Sequence, residues 1–191
     1  NNEQQQLSSD THILRGGYPA IWAKGQDSRM VYRAYYNTYV ERDVRSIINV
    51  KDMNAFNKFI KLCAGRVGTE FKASILSGEI GVSVPTINQW LSVLEASYIV
   101  YLLPPFYENI KKRLVKTPKL YFYDTGLATY LLSIENETQL STHPLRGALF
   151  ENMVVNEMMK ERINQGKDPN LYFYRDQSQR EIDVIRTNAN Y

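Results

Sequence analysis

The chain has 191 residues, of which 43% are hydrophobic and 23% charged, and its formal net charge is +3. This length can bury one good core or two to three small ones, and no apolar run approaches the roughly 20 residues of a membrane span. The single Cys63 excludes an intrachain disulfide, and one cysteine with two distant histidines excludes a Cys/His zinc cluster.

In chain order, residues 1–10 read as a polar tail with neither the cationic start nor the apolar stretch of a secretory signal, so the expected location is cytoplasmic with no membrane contact. Gly16-Gly17-Tyr18-Pro19 marks a turn. A helical pattern runs over residues 29–48, with Met30, Val31, Ala34, Tyr35, Thr38, Tyr39 and Val44 near one face, and a second helix covers 54–67, where Cys63 falls in line with Phe56, Phe59, Ile60 and Val67. Cys63 is therefore read as a buried apolar thiol.

Residues 74–124 carry the strongest local signal. A short helix over 74–80 meets Gly81, which can take positive φ without steric cost. Ser83 can cap a second helix over 84–95, with Pro85 in its first turn, where a missing N–H does no harm. Val84, Ile87, Trp90, Leu91 and Leu94 form one apolar stripe on that helix, and Thr86, Asn88, Gln89 and Ser92 lie off it. Apolar strands over 98–103 and 120–123 flank a basic hairpin, in which Lys111, Lys112, Arg113, Lys116 and Lys119 put five cations in nine residues and leave −2 on the rest of the chain. The pattern predicts a winged helix-turn-helix that offers a polar helix face to a major groove and a cationic wing to phosphates. Duplex DNA is the expected partner, through Thr86, Asn88, Gln89, Ser92 and the five wing cations; a winged helix used for protein–protein contact is the alternative.

After the wing, Asp124 or Thr125 caps a short helix through Leu132. Residues 133–143 are polar and loop-like, a linker in this reading. A helix follows from Gly147 to about Arg162, with Phe150, Val154, Val155 and Met158 inward, and two short strands over 171–174 and 182–185 end the pattern. The expected fold class is α+β, mainly α.

Several segments occur here in one order: Gly16-Gly17-Tyr18-Pro19, Tyr39-Val40-Glu41-Arg42-Asp43, the helix-turn-helix, Lys116-Thr117-Pro118-Lys119-Leu120-Tyr121-Phe122, Asp124-Thr125-Gly126-Leu127, Gly147-Ala148-Leu149-Phe150-Glu151-Asn152 and Glu181-Ile182-Asp183. Together they resemble, over about residues 14–185, the C-terminal half of a prokaryotic family known as AAA-type ATPases or ATP-binding proteins, in which a P-loop domain precedes a domain of unknown function. The resemblance implies a helical lid remnant of the ATPase region over 1–52, the winged helix over 53–132, the linker over 133–143, and a truncated nuclease-like segment of the PD-(D/E)XK kind over 144–191. It implies ATP and Mg for the parent protein, an N-terminal ATPase domain as a partner, compatibility with a homo-oligomer, and a nucleotide-sensing role for Arg42. It also implies that Glu151 and Asp183 are the helix and strand acids of an ancestral catalytic site, able to hold a divalent metal weakly.

Two departures limit the activity. No Gly-x4-Gly-Lys-Ser/Thr is present, since Gly166-Lys167 has Glu161 where the first glycine belongs. After Asp183, which sits between apolar strand residues and is read as inward, no Glu-x-Lys follows. The chain is therefore expected to hold no cofactor of its own and to show neither ATPase nor nuclease activity.

Overall fold

The computed structural model describes residues 7–44, 52–106, 117–176, 178 and 180–187, with the side chains of 41–44 outside that description. Among the described residues the fold is α+β and mainly helical, with nine α-helices and two small two-stranded antiparallel sheets. None of these helices is long and apolar enough to cross a membrane.

The N-terminal part comprises α1 (Ser9–Arg15), α2 (Pro19–Ala23) and α3 (Ser28–Tyr35). Ser8 caps α1 and Asp27 caps α3, each accepting a backbone N–H of the first turn. The helix expected over 29–48 begins as α3, but Tyr36–Val44 is a π-helix, and the expected last turn lies outside the described residues.

Helices α4 (Met53–Ala64), α5 (Ala73–Ile80) and α6 (Val84–Ala96) form a compact group. Phe56, Phe59, Ile60 and Cys63 of α4 pack with Leu76 of α5 and Ile87, Trp90, Leu91 and Leu94 of α6. The Trp90 ring meets Phe56 edge-on at 5.4 Å and Phe59 at 5.5 Å. Cys63 is fully buried, as its spacing suggested. Val84, placed in the apolar stripe by spacing, is instead 38% exposed, because the first helical residue projects beyond the packed face. Gly81 ends α5 in the left-handed region at φ 87°, and Ser83 accepts the Thr86 N–H to start α6.

Strand β1 (Val100–Leu103) pairs antiparallel with β2 (Lys119–Phe122), Val100 opposite Phe122 and Leu103 opposite Lys119. The chain between α4 and α5 adds a partial third strand. Gly68 donates to the Leu120 carbonyl at 2.8 Å, Leu120 to Thr69 at 2.9 Å and Phe71 to Pro118 at 2.9 Å. The rest of the chain is α7 (Thr125–Leu131), α8 (Glu137–Ser141), α9 (Arg146–Asn164), β3 (Leu171–Arg175) and β4 (Glu181–Arg186). Residues 133–143, expected as loop, contain α8, capped by Asn136 and anchored by the fully buried Leu140.

Two features seat the C-terminal part on the hairpin. First, α9 docks on β2 through amides. Asn152 accepts the Phe122 N–H at 2.9 Å and donates to the Phe122 carbonyl at 2.8 Å, as a neighbouring strand would. Asn156, one turn on, donates to the Phe122 and Tyr123 carbonyls and accepts the Tyr101 hydroxyl. The buried face of α9 is thus Leu149, Asn152, Val155, Asn156 and Met159. Of the residues expected inward, Val155 is buried, Val154 and Met158 are half-buried and Phe150 is 43% exposed. Second, the chain leaving β1 pairs with β3: Phe173 donates to Pro104 and Phe106 to Phe173.

Candidate nucleic-acid interface and acidic cluster

Helix α6 presents the polar face that its sequence suggested. Asn88, Gln89 and Ser92 are exposed, and Thr86 is half-buried with its hydroxyl 2.8 Å from that of Ser83. Ser92 donates back to the Asn88 carbonyl, so its hydroxyl is partly committed, while Asn88 and Gln89 carry the free amide groups. The helix itself holds no cation; its one charged residue is Glu95, whose carboxyl burial pushes above its ordinary range. Lys111, Lys112, Arg113 and Lys116 lie outside the described residues, between Phe106 and Thr117. Arg42 lies in the π-helix, and its side chain is also outside the description.

Lys119 differs from the other wing cations. It opens β2 with its side chain only 2% exposed, so it is not a surface cation for a phosphate. Its ammonium faces three carboxylates: Glu151 at 3.1 Å, Asp183 at 3.9 Å and, in closer contact, Glu181. The Phe173 ring centroid lies 5.3 Å away. Strand alternation explains the convergence. Lys119 and Tyr121 share one face of β2, and Glu181 and Asp183 share one face of β4. Tyr121 donates its hydroxyl to Glu151, and Arg175 pairs with the other oxygen of Glu181 and with Glu70 at 2.7 Å. Glu70 also meets Lys72 at 3.1 Å, which extends the network to the residue just before α5.

The two acids singled out by sequence are therefore brought together, since both contact one ammonium. Asp183 is not inward, however: its side chain is 63% exposed, because β4 covers only part of the cluster. Glu181 and Arg175 complete the arrangement and were not among the predicted site residues. The i, i+2 spacing of Glu181 and Asp183 on a strand was the signal for the former. Burial raises the Glu181 carboxyl, but the hydrogen bonds and charge of Lys119 and Arg175 outweigh it and hold the group below its ordinary 4.5. Burial, reinforced by the hydrogen bond to Glu151, pushes the Tyr121 hydroxyl far above the usual phenol range.

The cluster does not fit a divalent ion as it stands. Oxygen ligands bind Mg²⁺ or Ca²⁺ at 2.0–2.6 Å, which would put the ion beside the Lys119 ammonium. Charges of +2 and +1 about 3 Å apart repel by roughly 11 kcal/mol at an effective dielectric near 20. Among the described residues no group of three His, Cys, Asp or Glu is arranged to hold a metal ion.

A second hollow, about 370 Å³, lies where Gly16-Gly17 meets α7 and α9 and is lined by His12, Asp124, Glu157 and Lys160 among others. Its floor is a structural lock. Asp124 caps α7, accepts the Gly17 N–H at 2.9 Å and receives the Tyr32 hydroxyl at 2.7 Å. Gly16 has φ 61°, and a Cβ there would stand 2.1 Å from an Asp124 oxygen.

Comparison with known proteins identifies relatives and a family. It is similar to the protein named Uncharacterized protein Rv2008c of Mycobacterium tuberculosis and to Uncharacterized protein Mb2031c of Mycobacterium bovis, in each case 29% identical over 180 residues, 93% of this chain. The chain spans 40% of the length of these curated relatives. No solved structure matches it. Residues 146–190, which carry Glu151, Glu181 and Asp183, match a domain of unknown function, DUF4143. Residues 6–138, from α1 to the start of α8, match the domain of unknown function DUF8612, and the chain belongs to that family.

Proposed function

We propose that this chain is the DNA-binding C-terminal region of a prokaryotic AAA-type ATP-binding protein, with no ATPase or nuclease activity of its own. One observation carries the reading: α5, the left-handed Gly81 and α6 are followed directly by the β1–β2 hairpin, and α6 exposes Asn88, Gln89 and Ser92. This is the order of a winged helix, with the partial strand at 68–71 in the place where that fold has its first strand. Asn and Gln amides suit the paired donor and acceptor of an adenine edge. Phosphate affinity falls to Lys111, Lys112, Arg113 and Lys116, since Lys119 is buried. ATP and Mg belong, in this reading, to the ATPase domain of the longer parent, where Arg42 on the π-helix would sense nucleotide, and the C-terminal segment is a nuclease-like remnant. The location is cytoplasmic.

A second reading is supported by the charge of α6. Its exposed face has no cation, which suits a protein partner better than a polyanion, and the C-terminal segment would then be a scaffold.

A fluorescence anisotropy titration of duplex DNA at several salt concentrations separates the two. Four phosphate contacts predict a log–log slope of about −3.6, flattened by about 2.7 when Lys111, Lys112 and Arg113 are all changed to Ala. Asn88→Ala or Gln89→Ala is expected to shift preference among sequences by about 1–3 kcal/mol. Equal, salt-independent affinity for wild type and triple variant would favour the protein partner.

A further inference from the structure

The 370 Å³ hollow beside Gly16-Gly17 joins two segments singled out in the sequence, Gly16-Gly17-Tyr18-Pro19 and Asp124-Thr125-Gly126-Leu127, and the DNA contact proposed above uses neither. Three side chains there carry polarity that the fold does not satisfy. Thr125 is only 4% exposed, yet its hydroxyl has no hydrogen-bond partner among the described residues. No sealed side-chain polar atom of these residues lacks a partner, so this hydroxyl opens on the hollow that Thr125 lines. Asp124 is half-buried and accepts from the Tyr32 hydroxyl and from the N–H groups of Gly17, Gly126 and Leu127, all of them neutral. Its Oδ2 carries only the Gly17 N–H and has a lone pair to offer. Lys160 reaches in from α9. Its ammonium lies 3.2 Å, and Asp124 Oδ2 3.7 Å, from the point where a Cβ on Gly17 would stand. Among the described ion pairs these two charges do not join; Lys160 instead meets the exposed Glu157 at 2.8 Å, a surface pair of the weak kind.

A gap bounded by a carboxylate, a hydroxyl and an ammonium, with Tyr123 and Met153 in its walls, selects by charge. A simple anion would face Asp124 and a simple cation would face Lys160, whereas a zwitterion meets both, and a charge leaves water cheaply only when it is met. The hollow also has the size of a small-molecule site. We infer that it binds a free α-amino acid with an apolar side chain. The ligand's ammonium goes to Asp124 Oδ2 and the Thr125 hydroxyl, its carboxylate to the Lys160 ammonium in place of Glu157, and its side chain to Tyr123 and Met153. Gly17 keeps the gap open, since a methyl there would stand between Lys160 and Asp124. This assignment does not depend on what α6 binds.

The test uses the full chain, uniformly ¹⁵N-labelled, and L-leucine. Saturable shifts of the Gly17 and Thr125 amide signals are expected at millimolar leucine. N-acetyl-L-leucine lacks the ammonium and L-leucinamide lacks the carboxylate, and each is expected to bind roughly tenfold or more weakly. Thr125→Val should weaken leucine binding by about as much while leaving the thermal midpoint no lower, because the hydroxyl has no partner in the protein to lose. Lys160→Met should make leucine and leucinamide equivalent. The assignment is overturned if wild type shows no saturable shifts, if either derivative binds as tightly as leucine, or if Thr125→Val binds leucine as wild type does. A lowered midpoint in Thr125→Val would make the hydroxyl a structural group and also refute it, as would a Lys160→Met variant that still prefers leucine to its amide.

Discussion

At the scale of single residues, the buried polar groups do the specifying. Asn152 is fully buried and matched to both backbone groups of Phe122, so it is a packing residue that only an amide can replace. Leucine would fill the volume and leave the Phe122 N–H without a partner; aspartate would set a carboxylate against a carbonyl. Asn152→Ala is expected to cost roughly 1–3 kcal/mol, the penalty of an orphaned buried group, and Asn152→Asp more. The midpoint of urea unfolding, with unchanged slope, checks it. Asn156 shares the Phe122 carbonyl, so the double variant should lose more than the two singles summed. Lys119 makes the same point for charge: in sequence it is one of five wing cations, in space the hub of an ion cluster.

At the scale of elements, the α5–α6 pair depends on two local devices. Gly81 accepts a left-handed backbone that costs other residues about 1 kcal/mol, and the Ser83 cap is worth about as much. Gly81→Ala and Ser83→Ala are each expected to lower stability by about 1 kcal/mol, read by thermal unfolding, while sparing the Trp90 contacts that hold α6 on α4. If α6 makes the DNA contact proposed above, a loss of duplex affinity in these variants beyond that owed to unfolding would mean that the entry angle of α6 matters for contact. The π-helix Tyr36–Val44 departs from the simple amphipathic helix expected there. Its wider turn keeps Tyr36 and Val40 in the core while Tyr39 lies against Tyr35 at 5.2 Å.

At the scale of the whole molecule, titration links the parts. Tyr32 bonds Asp124 at the N-terminal lock, and Tyr101 and Tyr121 line the seam between the hairpin and α9. Burial raises all three hydroxyls, with Asp124 or Glu151 reinforcing it, above the ordinary 10.0. A phenol raised on folding contributes its full stability below the unfolded value and loses it as pH climbs toward the folded one. Stability is therefore expected to fall steeply above about pH 10. Glu181 acts in the opposite direction. Its lowered carboxyl stabilises above the unfolded value of 4.5, and that contribution is lost as pH falls through its folded value. Unfolding free energy measured from pH 3 to 11 should show both limbs, and Tyr121→Phe should soften the alkaline one.

The sequence by itself determined what is encoded locally. Caps at Ser83 and Asp124, the turn at Gly81 and the 3.6-residue spacing that buries Ile87, Trp90, Leu91 and Leu94 all act within a few residues, and all are found in place; the apolar run over 98–103 forms a strand only from Val100. The polar face of α6 was legible for the same reason. The tertiary structure alone decided which side of α9 is buried, because two of its inward positions are asparagines, whose partners lie on a strand 30 or more residues away. It also decided that Lys119 turns inward while Asp183 stays largely exposed, and that Glu181 and Arg175 join them. A charge run is normally a solvated face, and no periodicity marks Lys119 as a lysine whose burial three distant carboxylates compensate. Local propensity is written along the chain, whereas the compensation of a buried charge exists only once β2, α9 and β4 have met.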